Sequence, residues 1–310
     1  MTLLKTALSL SLLTMNTFAF SANYFDKLLT DESKRLDELR SSTAGDRNAD
    51  PSCKSRYAKI FNKKTIKISF GFGYGDARPN SMVWDHYVYS ALVKKLKGNC
   101  PLGVVTCGFS ESKTEKDLFR KIVEGPTGET NSMIELRITK PSLSGDNSVN
   151  MNAANAEKQM LTCEAANNKF MSEIANGADI VFYYGHSRDG GGPDFCPAKT
   201  LSDNHVNYPY YRKNQPGFKN LLNAMELAKT NKNPNKVIGL FSCSSGPHFY
   251  KRMLKVNSSA GYIVTSRTAN FHELSMDAYA SLDNLLSQRC ADGFEDTFSP
   301  RKATVLENMF

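Results

Sequence analysis

Two apolar runs constrain this chain more than any other feature: Asp179-Ile-Val-Phe-Tyr-Tyr-Gly-His-Ser187 and Val237-Ile-Gly-Leu-Phe-Ser-Cys-Ser-Ser-Gly246. Both are rich in Val, Ile, Phe and Tyr and lack the apolar–polar alternation of a half-exposed strand. Runs of this kind form buried strands of a parallel sheet, which are joined through crossover helices. Ligands and chemistry in such sheets sit at the carboxyl ends of the strands. Here each run ends in one reactive side chain, His186 in the first and Cys243 in the second, a candidate Cys/His dyad.

The flanking pattern repeats the alternation. Strands are expected over 65–70, 103–109 and 261–266, with a more exposed strand or hairpin over 132–139. Helices are expected over 82–97, 115–124, 152–176, 217–230, 247–254 and 271–289. A glycine-rich loop over 188–196 and an irregular, Tyr-rich stretch to Tyr211 separate the two halves. Strands and helices in this order predict a three-layer α/β/α sandwich with a mostly parallel sheet.

The chain divides into three parts. Lys5 precedes an apolar stretch, and Ala19-Phe-Ser21 offers small residues for cleavage near Ser21 or Ala22, so residues 1–22 read as a secretory signal peptide. Residues 23–55 are polar, with Tyr24, Phe25, Leu28, Leu29, Leu36 and Leu39 at roughly helical spacing. That segment is either an amphipathic helix docked on the domain or a pro-segment. Residues 56–310 form one α/β domain. No later run reaches the roughly 20 apolar residues of a membrane span, so the expected location is periplasmic or secreted, with no membrane span.

The charge balance is 39 basic against 31 acidic residues, a formal +8. The excess is spread along the chain, as at Lys63-Lys64, Lys94-Lys95 and Lys251-Arg252, without an aromatic-interleaved stripe. This excludes a nucleic-acid partner and leaves solubility, or attraction to anionic surfaces or acidic substrates. The seven cysteines suit an exported protein. Their odd number predicts three bridges and one thiol, and Cys243 is the one expected to stay free because a strand end suits a nucleophile. The competing reading bridges Cys243 and frees another.

A thiol attacks as its thiolate, and an adjacent imidazole can take the proton and return it to a leaving amine. A serine-hydrolase elbow does not fit, since Phe241 and Ser245 stand where Gly-x-nucleophile-x-Gly needs glycines. The apolar strand ending in Gly-His-Ser, followed by one ending in Ser-Cys-Ser-Ser-Gly, resembles the caspase-like cysteine peptidases of clan CD, closest to the bacterial CHAT and clostripain/gingipain-like branches. The resemblance covers 65–290 as a strand order and implies a caspase-like fold. It also implies His186 as general acid/base, Cys243 as nucleophile, and the backbone N–H groups of Ser187 and Cys243 as an oxyanion hole, although Ser187 stands where the family usually has glycine. The family's specificity pocket maps to Arg78 and Arg267, which suit an acidic P1 side chain. Members that cut after Arg or Lys use a pocket acid, for which Asp76, Asp189 and Asp194 are available.

Other readings of the same residues carry less. His186, Asp189, Asp194, Cys196 and His205 offer ligand types, but no metal spacing joins them, and no metal or cofactor is expected. The Gly71-Phe-Gly-Tyr-Gly turn is not Gly-x-Gly-x-x-Gly. Trp84, Asp85 and Tyr87 read as helix surface and core, and His248 is the substitute base if His186 is not the partner. Two functions follow: an exported endopeptidase acting on a peptide or protein substrate, or a caspase-like binding or scaffold module of the cell envelope in which Cys243 is idle.

Overall fold

In the computed structural model, which describes residues 23–40, 51–75, 82–100, 104–125 and 131–309, the β-prone runs assemble into one eight-stranded sheet. The strands are β1 (Thr65–Phe72), β2 (Ser110–Glu111), β3 (Leu118–Glu124), β4 (Asn131–Thr139), β5 (Ile180–Tyr184), β6 (Val237–Phe241), β7 (Gly261–Thr265) and β8 (Thr304–Glu307). Their spatial order is β2-β3-β4-β1-β5-β6-β7-β8. The central run from β4 through β1, β5 and β6 to β7 is parallel, and β3, β2 and β8 add antiparallel edges. Every residue of β5 and β6 is buried, as their unbroken apolar sequences require.

Successive side chains of β5 enter two different cores. Phe182 and Tyr184 join Phe25, Leu92 and Leu285 in one; Val181 and Tyr183 join Phe170, Leu221 and Met253 in the other. The helices divide accordingly. α1 (residues 23–40), α2 (Pro51–Phe61), α3 (Trp84–Lys97), α9 (Phe271–Leu286) and α10 (Ala291–Phe298) supply the first core. α5 (Ala156–Ala175), α7 (Pro216–Thr230) and α8 (Lys251–Val256) supply the second, and the short α4 (Asn147–Asn150) and α6 (Tyr208–Asn214) belong to loops. Each fully buried aromatic or aliphatic side chain contributes roughly 1.5–3 kcal/mol.

Helix α1 is docked on the domain, as its spacing allows: Phe25, Leu29 and Leu36 are buried, and Glu32 pairs with Arg301 at 3.0 Å. Arg301 also holds Asp277 of α9 at 2.5 Å. The signal-peptide reading of 1–22 lies outside the described residues. Cys53 is bridged to Cys290, Cys100 to Cys107 and Cys163 to Cys196, which leaves Cys243 as the free thiol. Bridges of this number fit an oxidising compartment. Among the described residues no helix is long and apolar enough to cross a membrane.

Two expected elements differ. Residues 104–109 form no strand, because their polar groups are already engaged: the Asp283 carboxylate accepts the N–H groups of Val105 and Thr106 at 2.9 Å each, and Lys121 Nζ donates to the Cys107 carbonyl at 2.7 Å. The Cys100–Cys107 bridge closes the segment into a loop. The expected helix over 115–124 is instead β3, in register with β4 from Leu118–Arg137 to Glu124–Asn131. Leu118, Phe119 and Val123 are buried while Ile122 stays exposed, and pairing overrides local propensity.

Candidate active site at the carboxyl ends of β5 and β6

Strands β5 and β6 pair in parallel register up to Tyr184 opposite Phe241, and the Gly185 N–H extends the ladder to the Phe241 carbonyl at 3.1 Å. His186 and Cys243 each stand two residues beyond that last pair. They therefore sit at the same height and, by strand alternation, on the face of Tyr184 and Phe241, which is the α9 face. Both meet the segment that leads into α9. The His186 ring lies edge-on to Phe271, with centroids 4.9 Å apart and planes at 89°. The Cys243 thiol donates to the Ala269 carbonyl at 3.4 Å. Both residues are half-buried, and the His186 Nε2 atom itself is covered.

The segment they touch is firmly held. Asn270 and Glu273 form a capping box at the start of α9, and the Tyr184 hydroxyl donates to the Phe271 carbonyl at 3.3 Å. His186 is tied from below as well: the Tyr183 hydroxyl donates to its carbonyl at 3.1 Å while accepting the Asp194 N–H at 2.9 Å.

The turn after Cys243 is unusual. Ser244 is left-handed, with φ 52, and its N–H donates to the Arg267 carbonyl at 2.9 Å. A non-glycine residue in that region is strained and persists only where its surroundings hold it. Ser245 provides part of the hold. It is buried, its hydroxyl donates to the Leu240 carbonyl at 2.6 Å, and it accepts the Thr265 N–H at 2.9 Å, stitching the end of β6 to β7. The chain then enters a π-helical turn, Gly246–Tyr250, ahead of α8, where a plain helix over 247–254 is expected. Such turns are frequent at functional sites. Among the described residues the Ser187 and Cys243 N–H groups meet no protein acceptor, and Ser187 itself is buried.

A second strained stretch follows β5. Arg188, Asp189 and Gly190 have φ of 47, 53 and 90. Arg188 is 4% exposed; its guanidinium pairs with Asp194 at 3.0 Å and donates to the Gly75 carbonyl at 3.2 Å. The Gly75 N–H in turn donates to Asp85 at 2.7 Å, and Ser142 donates to the same carboxyl at 2.9 Å. Complete burial pushes the Asp85 carboxyl up to about 7. The loop after β1 is thus clamped to the His186 loop through the backbone of one residue, Gly75. The glycines before it serve close packing: a Cβ on Gly73 would stand 2.2 Å from the Tyr183 hydroxyl, and one on Gly71 would meet the Phe170 ring at 2.6 Å.

The candidate specificity residues are spread around this centre. Arg267 lies beside the Cys243 turn, half-exposed, pairing with Glu273 at 3.1 Å and donating to the Arg301 carbonyl at 2.8 Å. Asp194 is engaged by Arg188, and Asp189 pairs with Arg212 at 2.8 Å. His248 faces Asp189, with Nε2 3.8 Å from Oδ1. Arg78 and Asp76 lie outside the described residues. Cys196 is taken by its bridge to Cys163, which removes the sulfur from the ligand set around His205. Sequence reasoning missed Arg188 and the role of Asp85, since nothing local announces that a loop arginine and a first-turn helix acid will be buried together. It also missed the Asp189–His248 approach. The chain matches no family model, and no curated protein and no solved structure matches it.

Proposed function

We propose that the chain is an exported, periplasmic or secreted cysteine endopeptidase of caspase-like, three-layer α/β/α architecture, which hydrolyses peptide bonds through a Cys243/His186 dyad. The observation that carries the reading is the level placement of the free cysteine and the histidine at the carboxyl ends of adjacent parallel strands, on one face and against one segment. The two buried clusters fed by opposite faces of β5 support the layering.

In this reading Cys243 attacks the scissile carbonyl carbon as a thiolate, with its proton on His186. The carbonyl oxygen becomes an oxyanion that accepts from the Ser187 and Cys243 N–H groups. His186 then protonates the leaving amine, and a water molecule, deprotonated by His186, hydrolyses the thioester. Phe271 packs on the imidazole and Tyr183 holds the His186 carbonyl, and in this reading that setting aims the imidazole at the sulfur, which is the positional part of catalysis.

The Arg267 carbonyl accepts the Ser244 N–H of the nucleophile turn, and the Arg267 guanidinium is held by Glu273. An acidic P1 side chain would exchange with Glu273 for its guanidinium, so cleavage after Asp or Glu is expected. Profiling the mature protein on a peptide library, beside the Cys243→Ala variant, tests both points. Cleavage after Asp or Glu that disappears in the variant is expected. Cys243-dependent cleavage after Arg or Lys would move specificity to Asp189 or Asp194, and cleavage that persists in Cys243→Ala, or is absent from both, would overturn the peptidase.

A further inference from the structure

At the opposite end of the sheet, the amino ends of β1, β6 and β7 border a cavity of about 460 Å³ lined by Arg56, Lys59, Lys63, Lys232 and Lys236. The five cations come from two distant stretches, α2 with the turn before β1 and the turn between α7 and β6. Charge that is spread along the sequence is gathered by the fold. No acidic side chain lines the cavity among the described residues. Lys63 is neutralised by Asp179 at 2.5 Å; the other four have no ion-pair partner among the described residues.

The frame beneath these cations is fixed. Asn233 donates its side-chain amide to the Gly177 carbonyl at 3.1 Å, and the buried Asn235 donates to the Ala178 carbonyl at 2.7 Å, so the 232–236 turn is anchored at both ends. On the other wall, α2 is tied down through the Cys53–Cys290 bridge, one turn before Arg56. Four cations that have no ion-pair partner among the described residues repel one another around one concavity. They produce a positive potential that an anion with several charges relieves, and the arginine fork with three ammonium groups suits tetrahedral oxyanions.

We propose that this cavity binds a compact ligand carrying two or more phosphate or sulfate groups. Two sources share that chemistry, a soluble phosphorylated molecule and a phosphate-bearing headgroup at an envelope surface. The readout is binding, so the outcome is independent of the Cys243 chemistry.

Isothermal titration calorimetry of the mature chain with tripolyphosphate in 0.15 M salt should show saturable one-to-one binding. The Lys232→Ala/Lys236→Ala variant should weaken it at least tenfold, a loss of about 1.4 kcal/mol, while Lys158→Ala/Lys219→Ala, equal in charge change and exposed elsewhere, should leave it within twofold. Sedimentation with phosphatidylglycerol vesicles separates the sources: capture lost in the first variant and competed by tripolyphosphate assigns a headgroup, and tripolyphosphate binding without capture assigns a soluble ligand. Absence of saturable binding, or equal weakening by both variants, would overturn the site, the latter showing only diffuse attraction to a basic protein.

Discussion

The two ends of the parallel strands are built differently. At the carboxyl ends, Arg188, Asp189 and Ser244 hold left-handed backbone without being glycine, within two or three residues of His186 or one of Cys243. Each costs on the order of 1–2 kcal/mol. At the amino ends the backbone is closed by ordinary side-chain bonds. The Asp179 carboxylate accepts the Lys67 N–H at 3.1 Å, and Asn257 donates to the Asn235 carbonyl at 2.8 Å. Left-handed residues occur there too: Lys232 ends α7 in the usual way, and Asn308 follows β8 and is held by the Ser258 and Ala260 carbonyls. Strain gathers around the reactive pair, while the other end fixes register and collects charge.

The sharpest way to break this contrast is to cut one buried clamp at each end. Arg188→Ala should destabilise the fold by about 3 kcal/mol, because a buried ion pair loses one partner, and should abolish peptide cleavage by releasing the loops that set His186. Asp179→Ala should cost about 2 kcal/mol, read by denaturant unfolding, yet leave kcat/KM within about threefold. Equal losses of activity in the two variants would erase the distinction between a working end and a structural end.

A smaller effect sharpens it. Burial lifts the folded Asp85 carboxyl to about 7 from an ordinary 3.8, so between those values the folded chain holds a proton that the unfolded chain has released. Stability is therefore greatest on the acid side and falls as pH rises through that window, with a slope of at most about 1.4 kcal/mol per pH unit. Asp85→Asn should flatten the slope measured by unfolding from pH 4 to 7. An unchanged slope would place the proton elsewhere.

The parts of this fold that were legible in the sequence are those whose signal is local. Ile180–Tyr184 and Val237–Phe241 are unbroken apolar runs, and an odd cysteine at the second strand end singled out Cys243. Segments governed by distant partners were not legible. Residues 104–109 look β-prone, but their amides are captured by Asp283, far along the chain. Leu118–Glu124 has charges at helical spacing and becomes a strand because β4 lies beside it. Ser245 stands in a run of small polar residues, yet it is a buried tie between β6 and β7. Burial of Arg188 and convergence of the lysines at the amino end are likewise products of the assembled fold.

The central claim is that His186 and Cys243 act as a pair, and the most direct measurement is the rate at which a peptidyl acyloxymethyl ketone modifies the mature protein, followed by intact mass spectrometry. The account predicts a single adduct on Cys243, formed at least about 100-fold more slowly in His186→Ala, as expected when a general acid/base is removed, with the unfolding midpoint of that variant unchanged. Modification at the same rate with and without His186 would contradict it.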